Sequence, residues 1–313
     1  MSHNRNLAGI LSLALGILIF SVQDAIIKRI SGDYPVTLAI AIRCLVALPI
    51  LIVMVQAETG IPKIASRNWP ILVVRGAILL VAYTAYYMAL AALPLAEAVA
   101  LFFTAPIIVT ILAGPVLGET VTAKAWGALI AGFFGVLIIL QPGSAVFEPA
   151  ALLSLLSAAT YGLAMVIARR VGVSEPATVM AFYQNGVYLV GAVLIALAFG
   201  FLGITKLGHP SLDFLVRPWI MPGTSDLLLM GLCGVIAAVA MSLLTHAYRS
   251  AEANLVTTFE YTGIIWAPIW GFLFFGEVPS WTTAAGTALI IAAGIYALRA
   301  AAAAPLRPAD ASA

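Results

Sequence analysis

The stretch SAEANLVTTFEYTG, residues 250–263, places two carboxylates and two neighbouring hydroxyls in a part of the chain that is otherwise almost entirely apolar. Glu260 lies about two turns into the predicted helix, and Thr257 shares its face. A carboxylate in such a run either contacts a substrate or a proton, or forms a structural ion pair, here with Arg43 or Arg75. Both readings stay open for Glu260. Glu252, at the start of the helix, is explained more simply by the helix dipole.

A second group of candidates could bind a flat solute with a polar edge. Aromatic side chains would supply stacking walls, and a few polar side chains would supply hydrogen bonds. The walls are Tyr83, Tyr87, Phe103 and Tyr161, and the polar candidates are Arg43, Thr104, Gln184, Asn185, His246 and Glu260. Aromatic stripes also arise from packing or from an interfacial belt. A lone histidine such as His246 is often a packing residue. A structural role is therefore the alternative for each of these candidates.

Three other charged residues receive structural interpretations from their positions. Asp24 and Lys28 have the i,i+4 spacing of a local ion pair, and a role for Asp24 at the mouth of a cavity is the alternative. Arg75 lies near an end of its apolar run, from where its side chain could reach the aqueous interface. Glu277 follows Gly276 at the end of another run and is assigned to turn geometry.

The sequence contains no motif for covalent chemistry. HExxH, GxSxG and glycine-rich phosphate loops are missing, and the three histidines are scattered. The two cysteines lie in apolar runs without a CxxC pattern, which argues against a disulfide framework or a zinc site. We therefore expect no enzymatic activity, no cofactor and no metal.

The composition is that of an integral membrane protein. Apolar residues make up 63% of the 313 residues, charged residues 9%, and the mean hydropathy is +1.10. A soluble domain is about half apolar and about a quarter charged. The net charge of +2 gives no reason to expect a nucleic acid partner. The expected partners are the lipid bilayer and a small-molecule substrate, while the oligomeric state and the coupling ion stay open.

Hydropathy predicts ten membrane-spanning helices of about 20 residues each. The predicted spans are 7–27, 36–56, 70–92, 95–117, 124–141, 150–168, 178–201, 226–248, 253–275 and 281–299. The longer connections, 57–69 and 202–225, are predicted to be loops, and residues 301–313 a disordered cytoplasmic tail. Lys and Arg in the loops number nine on the N-terminal side and four on the other, which predicts that both termini are cytoplasmic.

The chain carries an internal duplication. LAEAVAL at 95–101 corresponds to SAEANLV at 250–256, and IKRISGDYP at 27–35 corresponds to ARRVGVSEP at 168–176. The same offsets pair Gly76 with Gly231 and Arg43 with Gln184. Because each half has five spans, the halves must have opposite orientations in the membrane. Inverted repeats of this kind are common in secondary transporters, whose substrates bind between the halves.

Ten spans, the five-plus-five duplication and a Gly-Glu pair near the end of the fourth and ninth spans resemble the drug/metabolite transporter superfamily, specifically its EamA family. The resemblance covers about Leu7 to Arg299 and implies two EamA repeats, residues 1–146 and 147–300. The run FEYTGIIWAPIWGFLFFGEVPSW resembles the branch that includes bacterial riboflavin transporters.

We thus expect an all-α membrane protein with ten transmembrane helices in two inverted five-helix repeats. The resemblance implies a secondary transporter in the bacterial inner membrane that moves a small organic metabolite by alternating access. Riboflavin uptake is the most specific expectation. Export of amino acids or related metabolites is the main alternative, and a membrane-embedded enzyme is a weaker one.

Overall fold

The protein is described here by a computed structural model that covers residues 2–117, 123–142, 147–171, 175–250 and 263–302. Helices account for nearly all of these residues, and they contain no β-strand. In chain order the α-helices are α1 (Ser2–Ile30), α2 (Val36–Glu58), α3 (Trp69–Leu90), α4 (Leu95–Phe102), α5 (Ala105–Leu117), α6 (Ala123–Leu140), α7 (Ala151–Val171), α8 (Ala177–Leu202), α9 (Pro210–Val216), α10 (Thr224–Ser250), α11 (Gly263–Phe275) and α12 (Trp281–Ala302).

Within this part of the chain, five helical segments are long and apolar enough to cross a membrane, namely Leu11–Ile30, Val36–Glu58, Trp69–Leu90, Ala151–Ala168 and Ala177–Leu202. Five shorter apolar segments follow the remaining predicted spans: Leu95–Val109, Trp126–Leu140, Thr224–Ala240, Gly263–Phe275 and Trp281–Tyr296. Each predicted span therefore corresponds to apolar helix, and the span predicted at 253–275 is described from Gly263 onward.

The predicted span 95–117 is not one continuous helix. It is interrupted at Phe103 and Thr104, which form a turn between α4 and α5. Pro106 is the second residue of α5, and a proline has no backbone N–H to donate to the carbonyl oxygen four residues earlier, so the hydrogen bonds of a continuous helix would be interrupted here. The Thr104 hydroxyl donates to the Leu101 carbonyl oxygen at 2.8 Å, which satisfies a backbone acceptor at the turn.

The connection at 202–225, predicted as a loop, contains the short helix α9. The Asp213 carboxylate accepts hydrogen bonds from the backbone N–H groups of Leu207 and Gly208, at 2.6 and 3.0 Å. These bonds hold the pKa of Asp213 below its usual value. Arg217 donates to the Ser31 carbonyl oxygen at 3.0 Å, so the segment is fixed against the connection between α1 and α2.

The helices pack in pairs that join the N-terminal and C-terminal parts of the chain. Helix α1 packs against α10, and α7 packs against α3; α2 packs against both α8 and α10, and α3 against α8. Helix α4 packs against α7, and α11 against α1. Helices α6 and α12 form a further pair, in which Gly135 and Gly286 allow close contact because a Cβ added to either would lie under 3.0 Å from the other's carbonyl oxygen.

Candidate functional site: a buried arginine among tyrosines

Arg43 occupies the centre of a buried polar and aromatic cluster. Its side chain, on α2, is 6% exposed, and its guanidinium carbon lies 5.8 Å from the ring centroid of Tyr83 and 6.0 Å from that of Tyr188. Among the described residues, no hydrogen-bond partner is found for Arg43 Nε. A buried arginine that relies on ring faces has hydrogen-bonding capacity left for a ligand.

Gln184, the repeat counterpart of Arg43, reaches the same cluster from α8. Its Nε2 donates to the Tyr188 hydroxyl at 3.2 Å, and the neighbouring Asn185 donates to the Cys44 carbonyl oxygen at 3.0 Å. The two long polar side chains thus approach one tyrosine from opposite parts of the chain. Asn185, in contrast, is used to join α8 to α2.

The aromatic candidates form a continuous surface around this centre. Tyr83 packs against Tyr87 and Tyr188 with centroid distances of 6.0 and 5.6 Å. Farther along, Phe102 lies 5.2 Å from Tyr161 and 6.2 Å from Phe103. The cluster therefore brings together aromatic residues of α3, α7 and α8 and of the interrupted segment between α4 and α5.

The residues of this surface differ in their burial and in their contacts. Tyr87 is fully buried, and its hydroxyl accepts a hydrogen bond from Gln23 Nε2 at 2.8 Å. Phe103 packs so closely on α11 that a Cβ added to Gly263 would lie 2.9 Å from the ring. Tyr83, Tyr161 and Gln184 are half-buried, so a ligand could reach them.

Two candidates cannot be placed. Glu260, with the adjoining Glu252 and Thr257, falls outside the described residues, so the alternatives stated for Glu260 stay predictions. His246 lies on α10, but its side chain is outside the described part of the chain.

The structure corrects three interpretations of charged residues. Arg75 does not reach the interface: it is buried, and its Nε donates to the Ala164 carbonyl oxygen on α7 at 3.3 Å. Lys28 does not pair with Asp24, because its ammonium group lies 2.9 Å from Glu277 Oε1. Glu277 is therefore more than a turn residue.

Lys28 and Glu277 form what we call the latch, a set of contacts at one end of the helix assembly. Glu277 Oε2 accepts a hydrogen bond from the backbone N–H of Leu95 at 2.8 Å, which satisfies an orphan donor at the start of α4. Lys28 also donates to the carbonyl oxygens of Leu90 and Leu93 and lies 5.5 Å from the Phe275 ring centroid. Gly276, with φ of 66°, provides the left-handed turn that places Glu277 here.

Sequence reasoning missed Gln23, Tyr188 and the role of Glu277. Gln23 is a buried amide in an otherwise apolar run, and Tyr188 lies four residues after Gln184, so both carried a local signal. No local signal indicated that Glu277 would meet Lys28, since the contact joins distant segments.

Comparisons with known proteins agree with this architecture. A model of the EamA-like transporter family matches residues 7–141 and again 148–299. The chain is 27% identical over 290 residues to a pseudopaline exporter of Pseudomonas aeruginosa, covering 92% of this chain and 95% of the relative. It is 34% identical over 216 residues to a riboflavin transporter of Rhizobium johnstonii, covering 69% and 65%. It is 25% identical over 224 residues to an S-adenosylmethionine uptake transporter of Rickettsia prowazekii, covering 72% and 70%.

A solved crystal structure has a similar fold. It superposes with a TM-score of 0.61 at 20% sequence identity and covers 96% of this chain and 99% of the matched chain. At this identity the likeness concerns the fold.

Proposed function

Because this chain belongs to the EamA-like transporter family, we propose that it is a secondary transporter that moves a small organic metabolite by alternating access. The ten spans would form two inverted five-helix repeats in the bacterial inner membrane, with both termini cytoplasmic. The solute would bind between the repeats, as in other transporters of inverted topology.

The helix pairs support the two-repeat arrangement. In the predicted duplication each span corresponds to the one five places later, so α1 corresponds to α7, α2 to α8 and α3 to α10. Under this correspondence the α1–α10 pair matches the α7–α3 pair, and the α2–α10 pair matches the α8–α3 pair. The close contacts follow the same exchange. A Cβ added to Gly76 would meet Val187, and one added to Gly231 would meet Val46, its repeat counterpart.

The observation that carries the proposal is Arg43 at the centre of a ring of tyrosines. A planar solute could stack on the half-buried ring of Tyr83, and its acceptor edge could bind the guanidinium nitrogen that lacks a described partner. The Gln23 Oε1 and Thr84 Oγ1 atoms are also buried without a described hydrogen-bond partner. Gln23, whose Nε2 is bonded to Tyr87 of the cluster, could bind a polar group of the same solute.

Riboflavin uptake is the version of this function that we favour. The isoalloxazine ring is flat, and one edge carries an N–H group between carbonyl oxygens, which suits an arginine donor beside an amide oxygen. The relative named riboflavin transporter, at 34% identity, supports the same choice.

The proposal is tested by growth of a riboflavin-requiring strain on low external riboflavin. Expression of this protein should restore growth, and the matched substitutions Tyr83→Phe and Tyr83→Leu should differ, because only Phe keeps the stacking ring. We expect growth with Tyr83→Phe and weak growth with Tyr83→Leu at equal amounts in the membrane. Lack of rescue by the wild-type protein, despite verified membrane expression, would reject riboflavin uptake.

Export of an amino acid or related metabolite is the second candidate. It is favoured by the pseudopaline exporter that matches over nearly the full length of both chains. Cells loaded with phenylalanine, tryptophan or pseudopaline should then lose the solute faster when the protein is expressed. Faster efflux together with no riboflavin rescue would establish this alternative.

A further inference from the structure

Asp24 is a carboxylate inside a membrane-spanning segment, and the lysine one turn farther along its own helix is engaged elsewhere. The segment is Leu11–Ile30 of α1. Lys28, which the spacing suggests as the partner of Asp24, is bound instead by Glu277 and by two backbone carbonyl oxygens. No ion pair of Asp24 is found among the described residues. A carboxylate inside a membrane-spanning segment costs free energy, so its presence there marks a candidate functional group.

A tyrosine holds Asp24 toward the interior of the helix assembly. The Tyr86 hydroxyl, on α3, donates to Asp24 Oδ2 at 3.0 Å, and Tyr86 is itself buried against Phe102. Tyrosine can serve either form of the acid, since its hydroxyl donates to a carboxylate and accepts from a protonated carboxyl group. This contact is compatible with both protonation states.

Asp24 is also next to the proposed binding site along the chain. The adjacent Gln23 donates to Tyr87, and Tyr87 packs on Tyr83, which faces Arg43. A change of charge at Asp24 thus occurs one residue from the cluster that would hold the solute. Among the described residues, the other ionisable groups that act on Asp24 are Arg43 on α2, Tyr83 and Tyr87 on α3 and Cys233 on α10, while Lys28 lies one turn along its own helix.

We propose that Asp24 is the proton-binding group that couples solute transport to the proton gradient. The inference rests on the transport function proposed above. In each cycle one proton from the outer aqueous phase adds to the carboxylate as the solute binds, and the same proton leaves to the cytoplasm as the solute is released. No other bond forms or breaks. Protonation makes the carboxyl group neutral. Helix α1 therefore carries one charge fewer while the site changes from outward to inward access, and the free-energy cost of that change is lower.

The first test does not require the solute to be known. Infrared difference spectra of the purified protein are recorded in deuterated buffer between about pH 8 and about pH 5. The spectrum of the wild-type protein should show a carboxylate band replaced by a protonated-carboxyl band. Asp24→Asn should lack this exchange, and Glu97→Gln, a control in the first turn of α4, should retain it. Identical titrations of the wild-type protein and Asp24→Asn would overturn the proposal.

The second test measures coupling in proteoliposomes with labelled riboflavin. Asn keeps an oxygen that can accept from Tyr86, so the variant should fold and should exchange riboflavin across the membrane at near the wild-type rate. With a pH gradient, the wild-type protein should accumulate riboflavin. The accumulation ratio of Asp24→Asn should fall to about one, the value for an uncoupled neutral solute.

The two tests separate the two proposals. Absence of riboflavin exchange by the wild-type protein rejects the riboflavin assignment, and the infrared titration then decides on Asp24 alone. Accumulation by Asp24→Asn equal to that of the wild-type protein refutes Asp24 as the coupling group.

Discussion

At the scale of single residues, Arg43 and Gln184 show how a duplicated site can become asymmetric. They are counterparts in the repeat, and both approach Tyr188, Arg43 with its charge and Gln184 with an amide. A buried charge stabilised mainly by ring faces contributes little to folding, because desolvation opposes the attraction. Its retention is better explained by what it binds.

The substitution Arg43→Gln tests that explanation. Because glutamine already occupies the equivalent position 184, we expect the variant to fold, with thermal unfolding close to that of the wild-type protein. Loss of a charge-assisted hydrogen bond to the solute would cost about 1.5–3 kcal/mol, so the apparent affinity should fall about 10- to 150-fold. The affinity is measured from the concentration dependence of uptake in vesicles. Unchanged affinity in folded protein would remove Arg43 from the site.

At the scale of elements, the interrupted segment between α4 and α5 and the latch act on the same helix. The start of α4 is held by Glu277, and its end breaks at Phe103 and Thr104 beside the aromatic cluster. A short helix fixed at one end and broken at the other can pivot without unfolding.

A charge reversal of the latch distinguishes it from a simple ion pair. Lys28→Gln or Glu277→Gln should lower the free energy of unfolding by about 3 kcal/mol, as expected when one partner of a largely buried pair is removed. The exposed fractions of the two side chains are 12% and 22%. The double exchange Lys28→Glu with Glu277→Lys should not restore stability. A lysine at 277 cannot accept from the Leu95 N–H, and a glutamate at 28 cannot donate to the Leu90 carbonyl oxygen.

Thermal unfolding in detergent measures these effects. Recovery of the wild-type melting temperature by the double exchange would show that charge attraction alone holds the contact.

At the scale of the whole molecule, the predicted orientation assigns the two ends of the helix assembly to different compartments. The latch and the α9 segment would be outside, while the connection that contains Lys63 would be inside. The excess of Lys and Arg on one side supports this orientation.

Cysteine labelling in whole cells tests the orientation. Both native cysteines, Cys44 and Cys233, are buried and are removed from the background. An impermeant thiol reagent should label Leu207→Cys, whose parent side chain is 51% exposed, and should not label Lys63→Cys until the cells are opened. The reverse pattern would invert the topology and place the latch in the cytoplasm.

The sequence alone was sufficient for the apolar segments, the membrane class and the family. These follow from hydropathy and from recurring residue patterns, which are properties of single segments and do not depend on what a segment packs against. It also offered Arg43, Gln184, Tyr83 and Tyr161 as site candidates, and the structure places the first three next to Tyr188, while their role in binding stays a prediction. The break at Phe103 and Thr104 was not predicted, because a proline is also tolerated within a continuous transmembrane span.

Only the tertiary structure decided which charged groups pair. Lys28 has Asp24 one turn away, yet it binds Glu277 from the far end of the chain. At this position Glu277 also accepts the N–H of Leu95, and Lys28 also donates to two backbone carbonyl oxygens. Arg75 likewise turns inward to the Ala164 carbonyl oxygen. Away from water, Lys28 and Arg75 both lie where backbone carbonyl oxygens accept their hydrogen bonds. That arrangement depends on helix packing between distant segments, which no local pattern encodes.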